Sequence, residues 1–287
     1  MEPTGNSLIR RASLAIALAL LTPVALALSP EAASRLQQRA GLGPDPLAAA
    51  RLEPLSMRRA IDRLVDDAQA ATQARTAPPD WVADPLDRPG AGGAPLAPEE
   101  RQARRRTIVQ RGVELQGWWM SEMLSTPSPL AERMTLFWHG HFTSGLREVR
   151  QPQLLYRQNV LLREHALGNY RELLGAIVRD PAMLLYLDNQ QNRRGAPNEN
   201  FARELLELFT LGEGHYSEND VREAARAFTG WRMQPPAGEF VIAARQHDDG
   251  EKTFLGAHGA FDGDDIVAQI LKQPRAAEFI VEKLWRE

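Results

Sequence analysis

The chain has 287 residues, 43% of them hydrophobic and 25% charged, which suffices for a sizeable core, is too short for more than about two ordinary domains, and excludes wholesale disorder. A net charge of -3, from 34 Lys+Arg against 37 Asp+Glu, leaves no basic footprint for nucleic acid. Cysteine is absent, so disulfides, thiolate metal sites and cysteine nucleophiles are excluded together, and any metal must be held by His and carboxylate.

The amino terminus reads as an export signal. Arg10 and Arg11 precede the uncharged stretch Ala12 to Leu28, and Ala25-Leu26-Ala27 is the small-x-small pattern of a cleavage site. General secretion and the twin-arginine route both fit. An uncleaved anchor is the alternative, which Pro23 in the middle of the stretch disfavours. Residues 1–28 are thus expected to be a signal peptide and the mature protein to be periplasmic or extracellular, without a membrane span.

Beyond the signal, residues 29–75 read as N-terminal helices, broken at Gly41 to Pro44 and near Pro54. Met57, Ile61, Leu64 and Val65 recur at three- and four-residue spacing and predict an amphipathic helix from Ser56 to Ala74. Residues 76–98, with six prolines and repeated glycine, read as a linker loop outside the helical body. Residues 99–287 form the expected main domain. A long helix from Pro98 to about Leu124 comes first, then Leu130 to Trp138, Gln153 to Glu164, Asn169 to Val178, Pro181 to Leu187, Asp264 to Leu271 and Pro274 to Trp285. Only near residue 239 does the period change. There Glu239 to Ala244 and Lys252 to Leu255 flank Asp249-Gly250, a hairpin-turn dipeptide. The expected fold is mainly α, a multi-helix bundle with one small β-hairpin.

Three constellations carry chemistry. In Phe137-Trp-His139-Gly-His141-Phe142 the imidazoles are two residues apart, about 200° around a helix, so they converge only if the helix ends there. Gly140 and Thr143-Ser144-Gly145 favour such an end, and the pair is then a metal candidate. The alternative is two half-buried histidines bonding to carbonyls under Trp138 and Phe142. The second constellation is Asn198 to Leu208, whose apolar set Phe201, Leu205 and Leu208 faces a core and leaves Asn200, Arg203, Glu204 and Glu207 adjacent on another face. Inward carboxylates in a helical bundle make a hard-metal or acid/base site, and His215 follows near the helix end. Intrahelical ion pairs explain the same spacing. Third, Asp188, Asn189, Asn192, Asn198 and Asn200 surround a chain reversal and supply oxygen ligands of the kind Ca²⁺ or Mg²⁺ takes, while capping and Asx-turns explain them equally.

Taken together, these residues resemble the bacterial DUF1800 family. The resemblance rests on Asp180 to Asp188, Asn198 to Gly212, Gly214-His-Tyr216, Asp220 to Trp231, Phe137 to Phe142, His247 to Gly256 and Lys283-Leu-Trp285, and runs from about residue 31 to the end. No activity is assigned to that family. The resemblance implies export, a hydrolase-like protein encoded nearby as partner, and a longer protein, because family members continue past Lys-Leu-Trp whereas this sequence stops at Arg286-Glu287.

The leading expectation is an exported protein with a His/carboxylate metal or acid/base site, hydrolytic in character. His139, His141, Glu204 and His215 are its expected ligands to a divalent metal, Glu199 and Glu207 its candidate general bases, and Asn200 and Arg203 its substrate-binding groups. The expectation from a different class is a non-catalytic envelope scaffold that binds the hydrolase-like partner or a surface polymer. Convergence requires the end of the 130–138 helix to lie against the 199–211 helix.

Overall fold

Proline opens helix after helix in this chain, at a position where its missing N–H is one that the helix leaves unbonded anyway. A computed structural model describes residues 27–86 and 96–287. The export signal, apart from its last residues, and positions 87–95 of the expected linker lie outside the described residues. The helices are α1 Pro30–Ala40, α2 Pro46–Leu52, α3 Met57–Ala70, α4 Pro98–Ser125, α5 Pro129–His141, α6 Leu146–Val149, α7 Pro152–Glu164, α8 Tyr170–Ile177, α9 Pro181–Tyr186, α10 Asn200–Glu204, α11 Glu218–Ala227, α12 Gly263–Ile270 and α13 Pro274–Arg286. Two antiparallel hairpins interrupt them, β1 Trp231–Gln234 with β2 Glu239–Ile242 and β3 Lys252–Phe254 with β4 Ala257–Gly259. Among the described residues no helix is long and apolar enough to cross a membrane.

Mainly α is therefore the fold, but the β pairing differs from the expectation. Asp249-Gly250 does not turn a hairpin, and β2 and β3 do not pair. Leu255 and Gly256, both at positive φ, make the tight turn between β3 and β4, as two-residue hairpin turns require. The Asp-Gly stretch instead folds around a buried lysine: Lys252 Nζ donates to the carbonyls of Asp248 (2.7 Å) and Gly250 (2.9 Å).

One large core joins the end of α5 to α7, α8, α10, α11, α12 and α13, with Trp138, Phe142, Leu162, Phe201, Leu205, Phe228, Trp231 and Ile280 among its buried members. A separate, smaller cluster of Ala33, Leu52 and Ala60 holds α1 to α3 together. The expected linker is not free of the body where it is described. Glu122 of α4 accepts the backbone N–H groups of Arg75 (3.0 Å) and Thr76 (2.7 Å), and Trp118 Nε1 donates to the Thr76 carbonyl. Trp81, in a short 3₁₀ turn Asp80–Ala83, donates to Glu114, and the Leu86 N–H reaches the Pro236 carbonyl of the first hairpin. This stretch is strapped across α4, because the buried Trp118 N–H and the buried Glu122 carboxylate need partners that its backbone supplies.

Candidate functional site

Helix α5 does not stop before the paired histidines. Gly140 remains helical and the helix runs to His141, so the two rings point to different sides instead of into one pocket. The His139 ring meets the edge of Trp119 with centroids 5.0 Å apart and lines a cavity of about 160 Å³ between α4, α5 and α7. Burial holds its pKa below the usual imidazole value. The His141 ring turns to the other side and is buried.

Both nitrogens of His141 are engaged. Nε2 lies 3.0 Å from the Phe209 carbonyl and Nδ1 lies 3.2 Å from Lys283 Nζ. An ammonium only donates and a carbonyl only accepts, so the ring is the neutral tautomer with its proton on Nε2. Burial, reinforced by the Lys283 charge, pushes its pKa down to about 3. The reason His141 meets backbone lies in the element it touches. After Glu204 the helix widens into a π-helical turn, Leu205–Thr210, and the following carbonyls take side-chain donors. Phe209 O accepts from His141 and from the Tyr170 hydroxyl (2.7 Å), Leu208 O from Lys283 (2.9 Å), and Leu211 O from Arg275 Nε (3.0 Å). The end of α5 thus docks on the 199–211 segment as convergence requires, but on its carbonyls.

The carboxylate face is separate. Arg203 is paired with Glu199 (3.1 Å) and Glu218 (2.8 Å), which together hold its guanidinium above its ordinary value. Glu207 accepts from the Tyr216 hydroxyl at 2.9 Å. Partial burial, then the neighbouring Glu207, raises the pKa of Glu204. His215 is exposed. The structure does not bring the expected metal set of His139, His141, Glu204 and His215 together: among the described residues no three His, Asp or Glu side chains are grouped to hold an ion. The physical reasons are the uninterrupted turn of α5 and the engagement of both His141 nitrogens.

The asparagines act on backbone. Asn189 Nδ2 donates to the Trp231 carbonyl (2.8 Å), Asn192 Nδ2 to that of Ala225 (2.9 Å), Asn198 Nδ2 to that of Asp188 (3.2 Å) and Asn200 Nδ2 to that of Leu187 (3.2 Å). Asn200, expected to bind substrate, thus joins α10 to the end of α9.

Sequence reasoning missed the polar interior behind His139. Arg163 of α7 grips Glu132 of α5 with Nε and Nη2 (2.6 and 2.9 Å), both side chains being fully buried, and its Nη1 donates to Asn159 Oδ1 at 2.7 Å. Trp119 Nε1 also donates to Glu132 (2.9 Å). Alongside runs a second chain, in which the Ser144 hydroxyl donates to Gln158 Oε1 (2.6 Å) and Gln158 Nε2 donates to Asp180 (2.7 Å). Burial pushes the Asp180 carboxyl up to about 7, against the Met183 N–H and Gln158, which pull it down. The available signal was α7 itself, where Gln158 interrupts the stripe of Leu154 and Leu162 at four-residue spacing.

Comparison with known proteins gives one match. No curated protein and no solved structure matches the chain. The model of a family described as "Protein of unknown function (DUF1800)" matches residues 35–287, a span that includes α5, the π-helical turn and the terminal helix bearing Lys283. By that match the chain belongs to the DUF1800 family.

Proposed function

We propose that this chain is an exported envelope protein that works by binding, a scaffold for a surface polymer, with the hydrolase-like partner as the other occupant that the family resemblance implies. The observation that carries this reading is the engagement of the motif side chains. His141 and Lys283 bond the carbonyls of the π-helical turn, the four asparagines bond backbone, and Arg203 is neutralised by two glutamates. Side chains held in this way organise a fold and leave little for a reacting group. Export rests on Arg10-Arg11, the apolar run after them and Ala25-Leu26-Ala27. The test is sedimentation of the full chain with purified envelope polymer. Wild type, Glu204→Gln and Glu207→Gln are all expected to sediment with it; release of polymer fragments by wild type alone would overturn the reading.

A second reading has its own observation. Glu204 is raised by burial and by Glu207, and Glu207 carries a hydroxyl donor in Tyr216. A glutamate whose proton is held more tightly than usual, beside a second carboxylate, suits acid/base hydrolysis with Glu204 as the acid. In that case fragment release is lost in both variants while sedimentation persists.

A further inference from the structure

Helix α4 has 28 residues and is about 42 Å long, and only one side of it belongs to the body. Gly112, Trp118 and Glu122 are buried against the rest of the chain. On roughly the opposite side Val109, Val113, Met120 and Leu124 are 56% to 82% exposed. At about 100° per residue these four lie within about 60° of one another around the rod. They repeat at 109 to 120 and at 113 to 124, an 11-residue period, so the stripe runs almost parallel to the helix axis and a second helix can lie along it. Gly117 stands at the edge of the stripe, near its middle. A Cβ there would meet open space, so nothing in the described fold asks for glycine at a mid-helix position where it weakens the helix. Close approach of another backbone does ask for it.

The two ends of the stripe differ in charge. Arg105 and Arg106, both exposed, stand one turn before Val109. Past Leu124 the surroundings are acidic. Pro127 and Ser128 form one side of a cavity of about 530 Å³ whose wall carries the carboxylates of Asp67, Glu122 and Glu132 and one basic side chain, Arg75. Glu132 is answered by Arg163, while Asp67, at the exposed end of α3, meets only the exposed Arg63 at 3.8 Å. An apolar line that is basic at one end and acidic at the other complements itself when turned end for end. It does not complement a uniformly anionic membrane surface.

We propose that this face docks a second copy of the chain, the two α4 helices lying antiparallel about a two-fold axis between Gln116 and Gly117. Val109 then faces Leu124 of the other copy and Val113 faces its Met120, each contact made twice, as two-fold symmetry requires. The same register sets Arg105 opposite Ser128 and Arg106 opposite Pro127, which brings both guanidinium groups to the acidic rim beside Asp67. Four apolar side chains alone fall short of the ~800 Å² per partner that a stable interface buries, and the arginine–carboxylate flanks extend the contact. The dimer goes beyond the polymer-binding reading, and neither depends on the other.

The test is sedimentation velocity of the full chain from about 1 to 100 μM, where a monomer–dimer equilibrium is expected. Met120→Glu sets a carboxylate against Val113 twice in each dimer and should raise the dissociation constant roughly hundredfold or more. Arg105→Glu with Arg106→Glu should weaken the dimer, and adding Asp67→Arg should restore it. All four positions are exposed, so circular dichroism should stay that of wild type. Because the chain has no cysteine, orientation is read directly. Oxidation of a mixture of Val109→Cys and Leu124→Cys proteins should join the two, while neither should join to itself. A monomer throughout the range, a dimer untouched by Met120→Glu, failure of Asp67→Arg to restore, or joining of Val109→Cys to itself would overturn the proposal. A monomer that instead floats with anionic vesicles would make the stripe a membrane contact and overturn it as well.

Discussion

His141 and Asp180 are buried titratable groups of opposite sign in their effect on stability. His141 has a pKa near 3 in the folded chain against an ordinary 6.5, so between those values the native state binds fewer protons and stability rises with pH. Its contribution is complete above about 6.5 and lost as pH falls towards 3. Asp180 sits near 7 against an ordinary 3.8, so the native state binds more protons over that window, and its contribution is complete below about 3.8 and lost as pH rises through 7. The windows overlap, and variants separate them. His141→Gln should flatten the acid side of a melting-temperature profile. Asp180→Asn, which keeps the cap on the Met183 N–H, should raise the melting temperature at pH 8 relative to wild type. At the buried ion pair, Glu132→Gln leaves Arg163 charged and half-answered and should cost about 3–5 kcal/mol, read from a denaturation midpoint that falls at unchanged slope.

Glycine decides two elements in different ways. A Cβ on Gly263, at the start of α12, would stand 2.4 Å from Trp231 Cζ2 and 2.7 Å from the Phe228 ring, in a packed core. Gly263→Ala should therefore destabilise by about 1–3 kcal/mol, measured by denaturant unfolding. Gly140 shows the opposite case, with open space where its Cβ would be. A mid-helix glycine costs only about 1 kcal/mol relative to alanine, and the burial of Trp138, His141 and Phe142 outweighs that, so the helix passes through it. That explains how much of the site was legible. The period-3.6 pattern located α3, α4, α7 and α13 to within a few residues, and the alternative reading of His141 as a buried ring on a carbonyl matches its bond to Phe209. The π-helical turn was not legible, because its apolar pattern is that of an ordinary helix. Nor was the cavity, whose walls come from separate stretches between Gly112 and Asn159 that meet only in the fold.

At the scale of the whole chain, α1 to α3 rest on a core with only three buried members, two alanines and Leu52, whereas α7 to α11 surround the large cluster. Arg133 of α5 joins the two parts through the Gly41 carbonyl. Local stability follows buried area, so native-state hydrogen exchange should be faster in α1 to α3 than in α7 and α9; equal protection throughout would mean that the two cores unfold as one. The thirteen-residue α5 has a further property. It presents one imidazole to the cavity and the other, about 200° round the rod, to the carbonyls that also hold Lys283. Both surroundings thus ride on one helix. Were an occupant of the cavity to shift α5 and change the hold of Lys283 on its proton, protonation of Lys283 would change the occupant's affinity by the same factor, and each would become a gauge of the other.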